Sequence, residues 1–307
     1  MIKLVVCDLD NTLYDWVGSF VPAFDAMVAE LVRTTGRSER ELLDAFRRVH
    51  RRHGTSEYAL AIAELDVLDE GLSPADRLER YEPALAAFRS ARRAMLHAYS
   101  EVRPTLEQLR EDGRCIVAHS DAMHSYALAR LNRLQLADLF DGLWALSDHE
   151  LPSALTLDDL ARRTGHEVRS SKLRWGRELG SEELKPAVHV LQEILDTVGV
   201  TAAETVYVGD SLGKDIWLAQ QAGVADVFAA YGRAPDESQY RRLVGISHWT
   251  PEQVVREREC ASRDIHPTWR INAFAELLDV LARLDGGKSA ELRSRTPGQC
   301  PCSTQEG

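Results

Sequence analysis

The opening residues of the chain, Ile2 to Cys7, are apolar apart from Lys3 and rich in β-branched side chains, and two carboxylates, Asp8 and Asp10, follow at once. A short apolar run of this kind suits a strand buried on both faces, as in a parallel sheet covered by helices. In open α/β sheets ligands bind beyond the carboxyl ends of the strands, which is where this pair falls. Two like charges so close repel each other, and burial raises their pKa values unless something compensates. A hard divalent cation does so, because Mg²⁺ takes oxygen ligands and binds one or two carboxylates together with a substrate phosphate. An isolated Asp-x-Asp reads better as a solvated surface turn. Its company in the chain decides otherwise.

Far downstream, Thr205 to Val208 is a second apolar run that ends in Gly209-Asp210, and Asp215 follows just before the apolar helix Ile216 to Ala222. Between the two acidic sites, Ser120 closes an apolar stretch and Lys185-Pro186 opens a helical one. The order Asp8-x-Asp10-x-Thr12, Ser120, Lys185 and Gly209-Asp210 with Asp215 resembles the four motifs of the haloacid dehalogenase (HAD) superfamily, over residues 1 to about 230.

The resemblance implies a set of roles. Asp8 is the nucleophile, attacking phosphorus to give an aspartyl-phosphate that splits one hard step into two easier ones. Asp10 protonates the leaving oxygen and later deprotonates the attacking water, while its backbone carbonyl helps hold the metal. The metal set is Asp8, Asp10, Asp210 and Asp215, with Asp215 either a direct ligand or an orienting group, and the implied cofactor is Mg²⁺. Ser120 and Lys185 contact the phosphoryl oxygens. An acid kept at Asp10 points to phosphoryl transfer, since members that cleave carbon–halogen bonds generally lack one there.

Several positions stay open. The second motif reads Ala118-His119-Ser120-Asp121, and Ser120 is taken as the hydroxyl donor. His119 reads better as a satisfied structural histidine than as a substrate contact. Lys172 and Lys214 compete with Lys185, which Pro186 and the helix after it favour. Thr12 either fixes the catalytic loop or is a plain β-branched turn residue. Tyr14 and Trp16 either line the substrate pocket or pack one domain on another.

Along the chain, Val17 to Thr34 is amphipathic, and Ser38 with Glu41 has the form of a capping box for a helix reaching about His53. Further helices are expected over Ser56–Leu68 and from Ser73-Pro74 to about Tyr99, the latter kinked or split at Pro83. Pro104 opens another that ends at Gly113. Strands follow over Arg114–His119, Leu143–Leu146, Thr205–Val208 and Asp226–Ala229, with helices over Met123–Leu134 and Ala187–Val198. Residues 147 to 180 are polar and give the weakest pattern, with a helix over Leu157–Thr164. Helices over Tyr240–Leu243, Pro251–Arg258 and Thr268–Leu284 close the chain.

The expected fold is therefore α/β, a Rossmann-like doubly wound parallel sheet with an all-helical cap domain. Residues 1–14 and 101–285 form the core, with a helical appendage from about 232; residues 15–100 form the cap, which the resemblance implies is mobile, and 286–307 form a disordered tail. A chain of 307 residues can bury such a core. Its net charge of −11 argues against nucleic acid as a partner, for no basic stripe exists to neutralise a phosphate backbone. No apolar run approaches membrane-spanning length and the start lacks a signal-peptide layout, so no membrane is expected. Five cysteines, an odd and scattered set, suggest reduced thiols and a cytoplasmic setting. Cys300 and Cys302 sit in the polar tail without a histidine nearby. The expected function is a Mg²⁺-dependent phosphatase for a small phosphorylated metabolite. The alternatives are a phosphomutase or another nucleophilic-aspartate hydrolase, or a non-catalytic phospho-accepting or metal-dependent regulatory module. Receiver domains of that last kind are far shorter and lack a helical insert.

Overall fold

Alternate residues of Leu4–Cys7 (β1) point into two different hydrophobic layers, Val5 and Cys7 into one and Leu4 and Val6 into the other. This period of two, with every residue buried, is what a central strand covered on both faces requires. The computed structural model describes residues 1–69, 71–149, 173–233, 237–250, 255 and 265–286. Its strands are β1, β2 (Cys115–Met123), β3 (Gly142–Leu146), β4 (Trp175–Leu179), β5 (Thr205–Gly209), β6 (Ala225–Ala229) and β7 (Trp269–Ile271). They form one parallel sheet in the order β4-β3-β2-β1-β5-β6-β7. The chain winds outward in both directions from β1, so the switch point of the sheet lies beside it. In register, Cys7 faces Ala118 on one side and Val208 on the other. The residues that follow these three, Asp8, His119 and Gly209, therefore lie at one level, where β1 and β5 end while β2 runs on to Met123.

Helices cover both faces. α5 (Val102–Glu111), α6 (His124–Arg133) and α10 (Leu277–Asp285) bury Leu106, Leu131 and Leu277 with Val5 and Cys7. α7 (Val188–Val198) and α8 (Trp217–Gln221) bury Leu191 and Leu218 on the opposite face. The α/β, Rossmann-like, doubly wound architecture is as the sequence predicts.

Between β1 and β2 the chain is helical, with α1 (Trp16–Thr35), α2 (Glu39–His53), α3 (Pro74–Arg80) and α4 (Glu82–Met95). They enclose a separate apolar cluster around Phe24, Phe46, Leu78 and Leu85. The Ser38–Glu41 capping box forms at the start of α2. Pro83 splits the last expected helix in two, landing in the first turn of α4 where its missing N–H costs nothing. α9 (Glu237–Ile246) lies on this helical layer, with Leu243 and Ile246 buried in its cluster. Arg47 Nε donates to the Gly245 carbonyl at 2.6 Å and Arg242 Nε to Asp25 at 2.6 Å.

Three segments differ from the sequence reading. The helix expected over Ser56–Leu68 is a loop with a single short helical turn at Ala61–Glu64. Leu60 to Ala63 are buried consecutively, a pattern no single helix stripe can supply, and Arg77 Nη1 donates to the carbonyls of Ala63 and Leu65, each at 3.1 Å. β4 arises within the stretch read as loop. β7 and α10 replace the helix expected over Thr268–Leu284, because the backbone and hydroxyl of Thr268 both donate to Asp226, at 2.7 Å each, and pin the chain beside β6. The appendage expected from about 232 is thus shared: β7 and α10 complete the sheet layers, and α9 joins the helical insert. The helices expected over Leu157–Thr164 and Pro251–Arg258, Lys172, and the tail beyond Gly286 lie outside the described residues.

Candidate active site

At the end of β1 the Asp8 amide donates to the Val208 carbonyl at 2.9 Å, which ties the loop after β1 to β5. Asn11 then takes a left-handed conformation (φ 62°), which Asn tolerates better than most side chains. Its Oδ1 accepts from the amides of Trp16 and Val17 at 3.2 and 3.3 Å, and Asp15 caps the same helix through the Gly18 amide at 2.7 Å. From the sheet's other side, Tyr231 donates to the Thr12 carbonyl at 2.7 Å. The turn is held on three sides.

Asp8 is buried. Its Oδ2 accepts from the Thr12 hydroxyl at 2.8 Å, and its Oδ1 accepts from Lys185 Nζ. The same ammonium donates to Asp215 Oδ1 at 2.8 Å, and Asp215 Oδ2 accepts from the Ser211 amide at 3.0 Å. Carboxylate oxygens of Asp8, Asp210 and Asp215 all lie within 4.8 Å of one another. Gly209 makes this possible, since a Cβ there would run into the Asp215 carboxylate.

The electrostatics follow from three acids facing one ammonium. Burial, opposed by Lys185 and reinforced by Asp215, pushes the Asp8 carboxyl up to about 7. Burial and the same two neighbouring acids, Asp8 and Asp215, hold Asp210 well above the usual carboxylate range. Burial alone would lower the Lys185 pKa, but Asp215 and Asp8 keep it well above that of a free lysine. Uncompensated negative charge, oxygen donors and close spacing are what a hard divalent cation needs, so the residues present fit Mg²⁺.

Ser120 is buried near the end of β2, where its hydroxyl accepts from the Ala122 amide at 3.1 Å, and it lines the same cavity as Asp8 and Lys185. Asp121 accepts from the Lys185 amide at 2.9 Å and from Lys214 Nζ at 2.8 Å. Although burial works the other way, the two lysines hold the Asp121 carboxyl at about 2. Lys214 is therefore engaged with Asp121, and Lys185 is the lysine at Asp8. His119 is fully buried behind the site, 3.2 Å from the Tyr207 hydroxyl, which also donates to Asp215 at 3.4 Å. Burial and nearby Lys185 lower its pKa to about 3, so it is neutral, and its Nε2 has no hydrogen-bond partner among the described residues. Tyr14 is packed in the interior, whereas Trp16 stacks on Phe20 and lines the cavity.

Asp10 stands apart from the other acids. Its carboxylate accepts from Arg130 Nη1 at 2.7 and 3.0 Å, and its side chain is not in the three-acid cluster. Burial raises its pKa, Arg130 opposes this, and Glu57 adds to it. Arg130 and Glu57 are residues that motif reading misses. A signal existed for one of them: Arg130 lies four residues after Tyr126, on the buried face of α6. A cavity of about 540 Å³ opens over the whole arrangement, with Glu57, Leu243 and Trp249 on the side away from the sheet.

Acidic and basic side chains gathered at the switch point of a doubly wound parallel sheet, under a helical roof, mark an α/β enzyme of the Rossmann-like class. The chain belongs to the haloacid dehalogenase-like hydrolases, whose family model matches residues 2–223. It is 28% identical over 290 residues to the glyceraldehyde 3-phosphate phosphatase of Methanopyrus kandleri, covering 92% of this chain and 99% of that protein. Among solved structures, it resembles a Thermotoga maritima protein assigned as a β-phosphoglucomutase, at 15% identity and a TM-score of 0.50, over 92% of this chain and 99% of that one. A 2-haloacid dehalogenase of Pseudomonas syringae pv. tomato matches at 20% identity and a TM-score of 0.49, over 92% and 99% of the respective chains. The T. maritima structure bears on the fold alone. Among the described residues, no helix is long and apolar enough to cross a membrane.

Proposed function

We propose that this hydrolase is a Mg²⁺-dependent phosphatase acting on a small phosphorylated metabolite through an aspartyl-phosphate on Asp8. One observation carries the reading: the Asp8 carboxylate is fixed between Thr12 and Lys185, beside Asp210 and Asp215, on the wall of a cavity large enough for a small metabolite. The phosphatase relative supports it, because its named substrate is a small phosphorylated compound.

An Asp8 oxygen forms a bond to phosphorus as the bond to the leaving oxygen breaks. Asp10 gives that oxygen a proton, then takes one from the water that splits the aspartyl-phosphate. Lys185 and Ser120 contact the phosphoryl oxygens, and Lys185 offsets the charge that builds up there. Asp8, Asp210 and Asp215, with the Asp10 backbone carbonyl, would hold Mg²⁺, which would supply the positive charge that lets an anionic nucleophile meet an anionic phosphate. Residues 1–14 and 101–285 act as the core domain, and 15–100 as a cap that closes the cavity to water. Incubation with a panel of phosphorylated metabolites should release inorganic phosphate only when Mg²⁺ is present. No metal-dependent release across the panel would remove the proposal.

The raised carboxyls add a prediction of their own. Folded Asp8 holds its proton up to about pH 7, against an ordinary value of 3.8, so metal-free protein loses stability as pH rises through that window. A cation must displace this proton below pH 7 and need not above it. The rise in Tm caused by a fixed Mg²⁺ concentration should therefore grow from about pH 6 to about pH 8. A gain that is flat or shrinks over that range would contradict the assigned ligands.

A further inference from the structure

A buried guanidinium joins the helical insert to the catalytic loop, and it belongs to none of the four motifs. Arg130, on α6, has a side chain only 3% exposed. Its Nη1 donates to both oxygens of Asp10, at 2.7 and 3.0 Å, while its Nη2 donates to both oxygens of Glu57. Glu57 is 11% exposed and comes from the loop after α2, inside the insert, whereas Asp10 and Arg130 belong to the part of the chain that carries the sheet. Both carboxylates line the cavity over Asp8.

A guanidinium is a rigid planar fork, so filling Nη1 and Nη2 with different carboxylates fixes the direction of each relative to the other. Taking Arg130 away leaves two buried carboxylates with no cation between them, and taking Glu57 away frees Nη2 and with it the fork's second anchor. Asp10 is thus aimed by Arg130, and Arg130 is steadied by a residue that only the insert supplies.

We infer that Arg130 and Glu57 are positioning residues for hydrolysis: Arg130 aims the Asp10 carboxyl into the cavity, and Glu57 completes the arrangement only while the insert lies over it. The assignment rests on Asp10 as the proton donor. Proton delivery to the leaving oxygen is then confined to the covered cavity, because with the insert displaced the guanidinium keeps only one of its two anchors.

Leaving-group dependence separates positioning from a general structural role. Nitrophenolate departs with little help from an acid, whereas phenolate needs more. The ratio of kcat for p-nitrophenyl phosphate to kcat for phenyl phosphate therefore reports how well Asp10 delivers its proton, and a merely structural defect would lower both rates together. Asp10→Asn should raise this ratio by on the order of 10²-fold. Glu57→Gln and Arg130→Lys should each raise it by about tenfold or more while changing the KM of either substrate by less than about threefold. The double variant should be no worse than Arg130→Lys alone, as expected of side chains that act together. A raised ratio in Asp10→Asn, with Glu57→Gln at the wild-type ratio, would overturn the positioning role and leave Asp10 as the donor. An unchanged ratio in Asp10→Asn would remove the donor itself, and the positioning role with it. Glu57→Gln keeps the test open should Arg130→Lys fail to fold, because it replaces a partly exposed carboxylate by a side chain of the same shape.

Discussion

Asp8→Asn should abolish metal-dependent phosphate release, by on the order of 10⁴- to 10⁶-fold, the scale on which hydrolases lose turnover when a covalent nucleophile is removed. Asparagine has nearly the shape of aspartate and can still accept from Thr12, so the loop that Asn11, Asp15 and Tyr231 hold in place should survive. The substitution also removes one of three acids clustered around a single ammonium. At neutral pH, where folded Asp8 is part-ionised against its environment, metal-free Asp8→Asn should melt no lower than the wild type. Turnover and Tm thus move independently, which separates loss of chemistry from loss of fold. A variant that retained turnover within about tenfold of wild type would dismiss Asp8 as the nucleophile.

The second large effect is expected at Lys185. Its ammonium bridges Asp8 and Asp215 in a fully buried setting, and Lys185→Ala would leave those carboxylates facing each other and Asp210 with no cation among them. Removing one partner of a buried ion pair costs about 3–5 kcal/mol, most of it the penalty of the charge left behind. The sign of the pH dependence follows. Folded Lys185 titrates well above its unfolded value, so in wild type its contribution is intact throughout the acidic and neutral range. In the variant the stranded acids can take up protons, and the deficit should shrink as pH falls from about 8 towards about 5. Turnover should fall by about 10²- to 10³-fold, the usual loss when a charge-stabilising donor goes. Denaturant melts across pH, beside kinetics at neutral pH, check both. A stability deficit independent of pH would mean that Lys185 acts through packing and not through charge.

The two effects fall on residues that the sequence exposes for a physical reason. Asp8 and Asp210 each close an apolar run that can only be an interior strand, and Lys185 precedes a proline and an amphipathic helix. Chemistry placed at strand ends is visible because the strand itself is visible. β4 is not, since an edge strand that presents Trp175, Arg177 and Glu178 to its surroundings and buries only Leu179 fully has no apolar signature. β7 is three residues long and owes its place to the Asp226–Thr268 contact, a pairing across 42 positions that no local pattern encodes. The Asp10–Arg130–Glu57 link spans 120 and 73 positions, and Glu57 falls in a segment whose spacing suggests a helix that does not form. Local periodicity reports what a residue buries. It is silent on which distant charge it meets.

α9 decides how firmly the insert is held. The insert is joined to the sheet by two crossings of the chain, before α1 and after α4, and α9 adds a third attachment that reaches it from beyond β6. With Arg242 on Asp25 and His50 donating to the Ile246 carbonyl at 2.7 Å, that attachment grips the first two helices by charge as well as by Leu243 and Ile246. Moving the insert away from α9 would expose Leu243 and Ile246 and break the Arg242–Asp25 pair, so the insert is held by more than the chain's own two crossings.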